Sequence, residues 1–165
     1  MSLTVRAMRQ EDSRAFLEVH HAAVRGVAAK DYSSAVIEAW APLPLTDAAI
    51  EAVRSNADGE YRLVAEMDGQ IVGVGALAVR TAELRACYVA PEATRQGVGS
   101  ALVREIERAA RERDLTFLEL DSSVTAEPFY RAHGYEVRGQ GEHILGAGRC
   151  MACVKMRKDF ALQKS

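Results

Sequence analysis

The hydrophobic and polar positions of the chain repeat with two different periods, and each period predicts one kind of secondary structure. Alternating positions or short apolar runs, the pattern of strands, occur in SLTVRAM, EYRLVAEM, QIVGVGALAVR, AELRACYVA, LTFLELD and RCMACVKMRK. Asp68-Gly69 joins the second run to the third, and this dipeptide favours a two-residue hairpin turn. We therefore expect a hairpin there and a further strand soon after it.

Apolar residues that recur every three or four positions predict helices between these strands. The first predicted helix has Asp12 as its cap, the second runs from near Ser33 to Pro42, and a short third begins at Thr46 or Asp47. A fourth follows Gly99 and extends through Arg113, and a fifth has Pro128 in its first turn and ends at Gly134. The main elements run in the order β-α-α-β-β-β-α-β-α-β. This order predicts an α+β domain in which an antiparallel meander crosses over into a parallel strand.

The length and net charge of the chain limit how many domains it forms and which kinds of partner it binds. With 165 residues we expect one domain over 1–165 with its core at about 3–158. A formal net charge of -2 gives no general attraction to nucleic acid. No apolar stretch is long enough to span a membrane, and the N-terminus has no signal-peptide pattern, so we expect a cytoplasmic protein. The oligomeric state stays open, with a homodimer as one alternative.

The cysteines do not predict metal or redox chemistry. Cys150 and Cys153 have C-x-x-C spacing, but RCMACVKM predicts a strand, in which residues three apart point to opposite faces. The chain has no second pair to complete a zinc site. We therefore expect no metal cofactor.

The stretch PEATRQGVGSAL places Gly97 and Gly99 directly before a predicted helix. A nucleotide P-loop would need a lysine after the glycines, and a dinucleotide fingerprint would need a glycine where Leu102 stands. Free N–H groups at a helix start, with no Cβ to block close approach, still favour a phosphate ligand. The alternative is a tight turn that binds nothing.

The longer stretch ACYVAPEATRQGVGSALVREIERAA resembles the acetyl-CoA motif of the GNAT acetyltransferase superfamily. The resemblance implies the GNAT fold, a mostly antiparallel mixed sheet whose fourth and fifth strands splay apart, and acetyl-CoA as co-substrate. It also implies that the coenzyme pyrophosphate is held by Arg95, Gln96, Gly97, Val98, Gly99 and Ser100. Thr94 departs from the motif, whose first position is usually Gln or Arg.

The same resemblance assigns further residues to the coenzyme. Cys87, Tyr88 and Val89 occupy the strand edge that pairs with the pantetheine arm in the family. Ser123 stands where many members have an asparagine that contacts this arm. TAEPFYRAHGY resembles the family segment that places Tyr130 near the coenzyme sulfur.

Direct acetyl transfer to an amine needs an acid for the departing thiolate and a neutral amine. A phenol can protonate or stabilise a thiolate, so Tyr130 is the candidate acid. Glu119, where some relatives place a glutamate, is a candidate base, with Glu83 and Asp121 as alternatives and a water chain as another. A backbone N–H near Val89 is a candidate to polarise the thioester carbonyl.

The acceptor, a small-molecule or protein amine, would meet the first two helices, which border the acceptor groove in the resembled fold. Trp40, Tyr32 and His20 would give this wall an aromatic character that suits an apolar or cationic body. VAAKDYSSAVIEAWAP further resembles a bacterial branch of mostly uncharacterised members. A non-catalytic coenzyme A-binding regulatory module is the alternative function, and a nucleic-acid-binding module is disfavoured by the charge balance.

Overall fold

Seven strands form one mixed sheet in the order β1-β2-β3-β4-β5-β7-β6 in the computed structural model, which describes residues 2–161. The strands are β1 (Leu3–Ala7), β2 (Tyr61–Met67), β3 (Gln70–Ala78), β4 (Glu83–Val89), β5 (Phe117–Ser123), β6 (Glu136–Ile144) and β7 (Cys150–Asp159). The helices are α1 (Ser13–Gly26), α2 (Ser34–Trp40), α3 (Asp47–Ser55), α4 (Val98–Glu112) and α5 (Glu127–Ala132). The α+β fold class is thus confirmed.

Local sequence explains most of the element boundaries. Asp68 and Gly69 have φ values of 53° and 79°, the left-handed backbone that the β2–β3 hairpin turn requires. The hydroxyls of Ser33 and Thr46 accept hydrogen bonds from amides of the first turns of α2 and α3, at 3.3 and 3.1 Å. Asp12 is the N-cap residue of α1 as expected, but its side chain makes no capping hydrogen bond, because the carboxylate instead accepts the Arg9 amide at 2.7 Å and binds Arg6.

The sheet has a different helix on each face. The side chains of Val98, Leu102 and Ile106 pack from α4 onto Gly73 and Gly75, where any Cβ would lie within 3 Å of these side chains. On the other face, Phe16 and Val19 of α1 pack against Val64 and Val74. The glycines let α4 lie close to the sheet, which fixes the position of its N-terminus.

Strands β4 and β5 separate after their first contact. They run parallel and pair at a single position, Glu83 opposite Glu119, with the Glu119 amide donating to the Ala82 carbonyl at 2.9 Å. From Arg85 onward, no described strand pairs with the β5-facing edge of β4. The resulting cleft opens beside the N-terminus of α4.

The element order departs from the predicted one at its end. Strand β6, which the hydrophobic pattern does not predict, pairs with β7 along its length and exposes most of its residues. The short third helix is present as α3. Within residues 2–161, no helix has both the length and the apolar character needed to cross a membrane.

Candidate active site

The turn before α4 presents a row of unpaired amides. Ala101 is the first residue whose amide donates into the helix, to the Gly97 carbonyl at 3.0 Å. Within the described chain, no backbone or side-chain acceptor binds the amides of residues 95–100. Because these N–H groups lie at the positive end of a 15-residue helix, they form a site for an anion.

Two glycines of this turn serve different purposes. Gly97, the N-cap of α4, has φ 83° and open space around its Cβ position. A Cβ on Gly99 would lie 3.0 Å from the Phe129 ring, so Gly99 lets α5 approach the first turn of α4. Arg95 also has positive φ, 63°, and its side chain is exposed, as is that of Gln96. A ligand at this turn would therefore contact backbone amides more than side chains.

Strand β4 offers a second row of backbone groups. The Ala90 amide donates to the Val72 carbonyl of the β3 side at 2.8 Å. Since successive residues of a strand point their backbone groups to opposite edges, those of Tyr88 face β3, and those of Cys87 and Val89 face the cleft. Cys87 and Val89 thus fit the expected strand edge, whereas Tyr88 presents only its side chain to the site.

A cavity of about 830 Å³ fills the cleft and reaches both faces of the sheet. Tyr130 of α5 lines it and is only 7% exposed. No group among residues 2–161 accepts a hydrogen bond from the Tyr130 hydroxyl or donates one to it. Burial raises the pKa of Tyr130 well above that of a free phenol, so the side chain stays protonated at neutral pH.

The two predicted serines are already hydrogen bonded to the protein. Ser123 lines the cavity, and its hydroxyl accepts the Ala126 amide at 3.1 Å, which leaves its proton available. Ser100 Oγ lies 3.0 Å from Nε2 of His133, a residue that the sequence did not single out. His133 follows α5, so this hydrogen bond joins the anion site to the helix that bears Tyr130.

Aromatic rings form the wall of the cavity opposite the anion site. His20 packs edge-to-face on Tyr88 at 4.6 Å between centroids, and Trp40 lies 6.4 Å from each of these two rings. Burial, assisted by the neighbouring His21, lowers the pKa of His20 to about 4, so His20 is neutral at pH 7. Trp40 and His20 both line the cavity.

Tyr32 lies behind this wall instead of lining the cavity. Its ring packs on Trp40 at 5.7 Å. Its hydroxyl donates to the Ala152 carbonyl at 2.6 Å and accepts the Val124 amide at 2.9 Å. Tyr32 thus connects the α1–α2 segment to β7 and to the loop after β5, and supports Trp40.

The structure places Glu119 outside the cavity. Its carboxylate binds Arg157 at 3.0 Å in a separate recess of about 310 Å³ that Arg138 and Asp159 also line. The expectation that Glu119 acts as base therefore lacks support. The sequence could not reveal this, because the β5–β7 pairing that brings Arg157 beside Glu119 joins residues far apart in the chain.

The alternative carboxylates do line the cavity, and both are ion-paired. Glu83 accepts a hydrogen bond from Arg85 at 2.6 Å. Asp121 accepts hydrogen bonds from Lys155 at 2.8 Å and pairs with His143 at 3.2 Å. Burial alone would raise the pKa of Asp121, but these two partners outweigh it and hold the pKa below its ordinary value. His143 belongs to β6, the strand that the sequence pattern did not reveal.

Comparisons with known proteins identify the family and agree with the fold. The family profile described as "Acetyltransferase (GNAT) domain" matches residues 28–160. An uncharacterised N-acetyltransferase of Escherichia coli, YafP, is 27% identical over 147 residues, which cover 88% of this chain and 90% of that protein. A GCN5-related N-acetyltransferase structure from Rhodopseudomonas palustris superposes with a TM-score of 0.86 at 26% identity over 97% of both chains. The PaiA N-acetyltransferase of Thermoplasma acidophilum, solved with coenzyme A, has a TM-score of 0.74 at 23% identity, covering 97% of this chain and 100% of that one.

Proposed function

The chain belongs to the GNAT acetyltransferase family, and from this premise we propose that it transfers the acetyl group of acetyl-CoA directly to an amine. The observation that supports this most is the continuity of the site. The free amides before α4, the open edge of β4 and the unengaged hydroxyl of Tyr130 all border one cleft.

The described residues fit acetyl-CoA along the length of the cleft. The amides of residues 95–100 would hold the pyrophosphate, an anion that suits the positive end of α4. The backbone groups of Cys87 and Val89 would pair with the pantetheine arm, with the Ser123 hydroxyl as a further donor. Acetyl-CoA supplies an activated acyl group as a thioester.

Tyr130 is the group best placed to assist thiolate departure. Burial raises the pKa of Tyr130, so the phenol acts as a hydrogen-bond donor and transfers its proton only to a strong base. The departing coenzyme thiolate is such a base, because it would also be poorly solvated in this cavity. Burial raises the pKa of the Cys87 thiol, which lines the same cavity, to about 12. A coenzyme thiol in this environment would likewise bind its proton more tightly than in water, which favours transfer from the phenol.

The acceptor side favours a cationic amine with an apolar or aromatic body. The faces and edges of Trp40, Tyr88 and the neutral His20 offer apolar contact and cation–π attraction. The carboxylates of Glu60, Glu83 and Asp121 that line the cavity are each paired with a cation, Arg62, Arg85 and Lys155 respectively. The preference for a cationic acceptor therefore rests on the aromatic wall.

An acetylation assay tests the proposal. The purified chain is incubated with acetyl-CoA and a panel of arylalkylamines, polyamines, amino acids and peptides, and the acetylated products are identified by mass spectrometry. We expect arylalkylamines to be acetylated faster than aliphatic amino acids, because an aromatic body can pack on the rings of Trp40 and Tyr88. Tight acetyl-CoA binding with no product from any amine would instead support the coenzyme A-binding regulatory module.

A further inference from the structure

We propose that His143 is the catalytic base that accepts the proton released from the acceptor ammonium, and that Asp121 and Lys155 position it. This inference rests on the acetyl transfer proposed above. The proposed base lies on β6, the edge strand of the sheet beside β7, and it lines the cavity.

Hydrogen bonding sets the tautomer of His143. Its Nδ1 lies 3.2 Å from Oδ2 of Asp121, and the second carboxylate oxygen of Asp121 accepts from Lys155 at 2.8 Å. Because an ionised carboxylate only accepts hydrogen bonds, Nδ1 of a neutral His143 must carry the proton. The lone pair of the ring is then on Nε2, where it can take a proton from an ammonium ion or from a water molecule bound to one.

Three elements surround His143 with charged groups. Asp121 approaches it from β5 and Lys155 from β7, and Glu83 lines the cavity from β4. Lys155 balances the charge of the Asp121 carboxylate, which contacts the ring of His143 and orients it. The side chain of His143 is 51% exposed, which allows it to release the captured proton to solvent.

The other titratable groups of the cavity are poorer bases. His20 has a pKa lowered to about 4, and its Nδ1 lies 3.1 Å from the neighbouring His21. Glu83 and Glu60 each bind Arg85, at 2.6 and 3.3 Å. Asp121 has a lowered pKa. Each of these groups is thus desolvated or engaged by a protein partner, whereas no described group binds Nε2 of His143.

The proton balance of the reaction assigns one proton to His143. An ammonium ion and a thioester give an amide, a thiol and one proton. The N–C bond forms, the C–S bond breaks, and its electron pair leaves with sulfur. His143 takes the first ammonium proton, which frees the attacking lone pair. The second nitrogen proton replaces the one that Tyr130 gives to sulfur, so the phenol is restored.

The test compares three variants on 2-phenylethylamine as acceptor. At pH 7, His143→Gln should lower kcat/KM by about 10²-fold, within the range of general base catalysis. The difference in rate between this variant and the wild type should shrink as the pH rises toward the pKa of the acceptor amine, because a neutral amine needs no base. Imidazole added to His143→Ala should restore part of the rate. Arg138→Gln, on the same strand but outside the cavity, is the matched control and should keep the wild-type rate.

A second readout needs no turnover. Long-range nitrogen NMR of the protein without coenzyme should show neutral His143 protonated on Nδ1, and Asp121→Asn should remove this preference. Equal rates and pH profiles for wild type and His143→Gln, or a ring protonated on Nε2, would overturn the assignment while leaving the proposed function intact. A wild-type chain that binds acetyl-CoA but acetylates no amine would overturn both.

Discussion

Nε2 of His133 lies 3.0 Å from the hydroxyl of Ser100, and this contact joins the end of α5 to the first turn of α4. The anion site and the helix that bears Tyr130 are therefore held in one arrangement. A change in one of these residues is expected to affect the other element, because the two helices also meet where Phe129 packs on Gly99.

Removing this hydrogen bond should weaken coenzyme binding without abolishing it. We expect His133→Ala and Ser100→Ala each to lower the affinity for coenzyme A by about 5-fold, the equivalent of one net hydrogen bond of about 1 kcal/mol. The double variant should lose no more than the stronger single variant, since both remove the same contact. Calorimetry on all three proteins checks this; fully additive losses would show that the residues act separately.

The charge of the pyrophosphate site can be tested at Gly97. Its left-handed backbone tolerates Asn and Asp better than other residues, and its Cβ position is open. Gly97→Asp and Gly97→Asn should therefore both fold. We expect the aspartate to weaken coenzyme A binding at least about 10-fold relative to the asparagine, because it places a negative charge beside the bound anion. Equal affinities of the two variants by calorimetry would rule out an anion at this turn.

The role of Tyr130 is separable from packing. Tyr130→Phe keeps the ring contacts with Phe129 and Tyr135 and removes only the hydroxyl, which has no described protein partner. We expect kcat to fall by about 10²-fold, while the affinity for coenzyme A and the melting temperature change little. Steady-state kinetics with calorimetry and thermal melting checks all three. Unchanged kcat would reduce Tyr130 to a packing residue.

The half-buried His20 of the acceptor wall predicts a pH dependence of stability. Burial lowers the pKa of His20 to about 4, against about 6.5 for an unfolded histidine. Between these values the unfolded chain binds more protons, so stability falls as the pH drops from about 6.5, and the loss is complete below about 4. His21, whose pKa burial also lowers, contributes in the same direction.

Urea unfolding of wild type and His20→Gln at pH 7 and pH 5 isolates the contribution of His20. The variant should lose less stability between the two pH values than wild type does. An identical loss in both proteins would mean that the His20 ring is solvated in the folded state.

Local sequence patterns predicted most of this fold, because the capping hydroxyls of Ser33 and Thr46, the Asp68-Gly69 turn and the helical periods act over a few residues. Strand β6 was not predicted, since only its pairing with β7 makes it a strand. Gly139 and Gly141 interrupt its pattern, and most of its side chains face solvent. His143 was missed for the same reason.

The candidate site likewise combines residues that local motifs indicate with residues that only long-range contacts place. The turn at 95–100 and the position of Tyr130 follow contiguous motifs, so the sequence could indicate them. The placement of Glu119 beside Arg157, and of Tyr32 behind Trp40, depends on contacts between residues far apart in the chain.

A crystal structure of the chain with acetyl-CoA tests the central claim most directly. The account predicts the pyrophosphate within hydrogen-bonding distance of the amides of residues 95–100, the pantetheine arm along Cys87 and Val89, and the thioester sulfur beside the Tyr130 hydroxyl. A coenzyme bound with its pyrophosphate away from this turn, or with its sulfur out of reach of Tyr130, would contradict it.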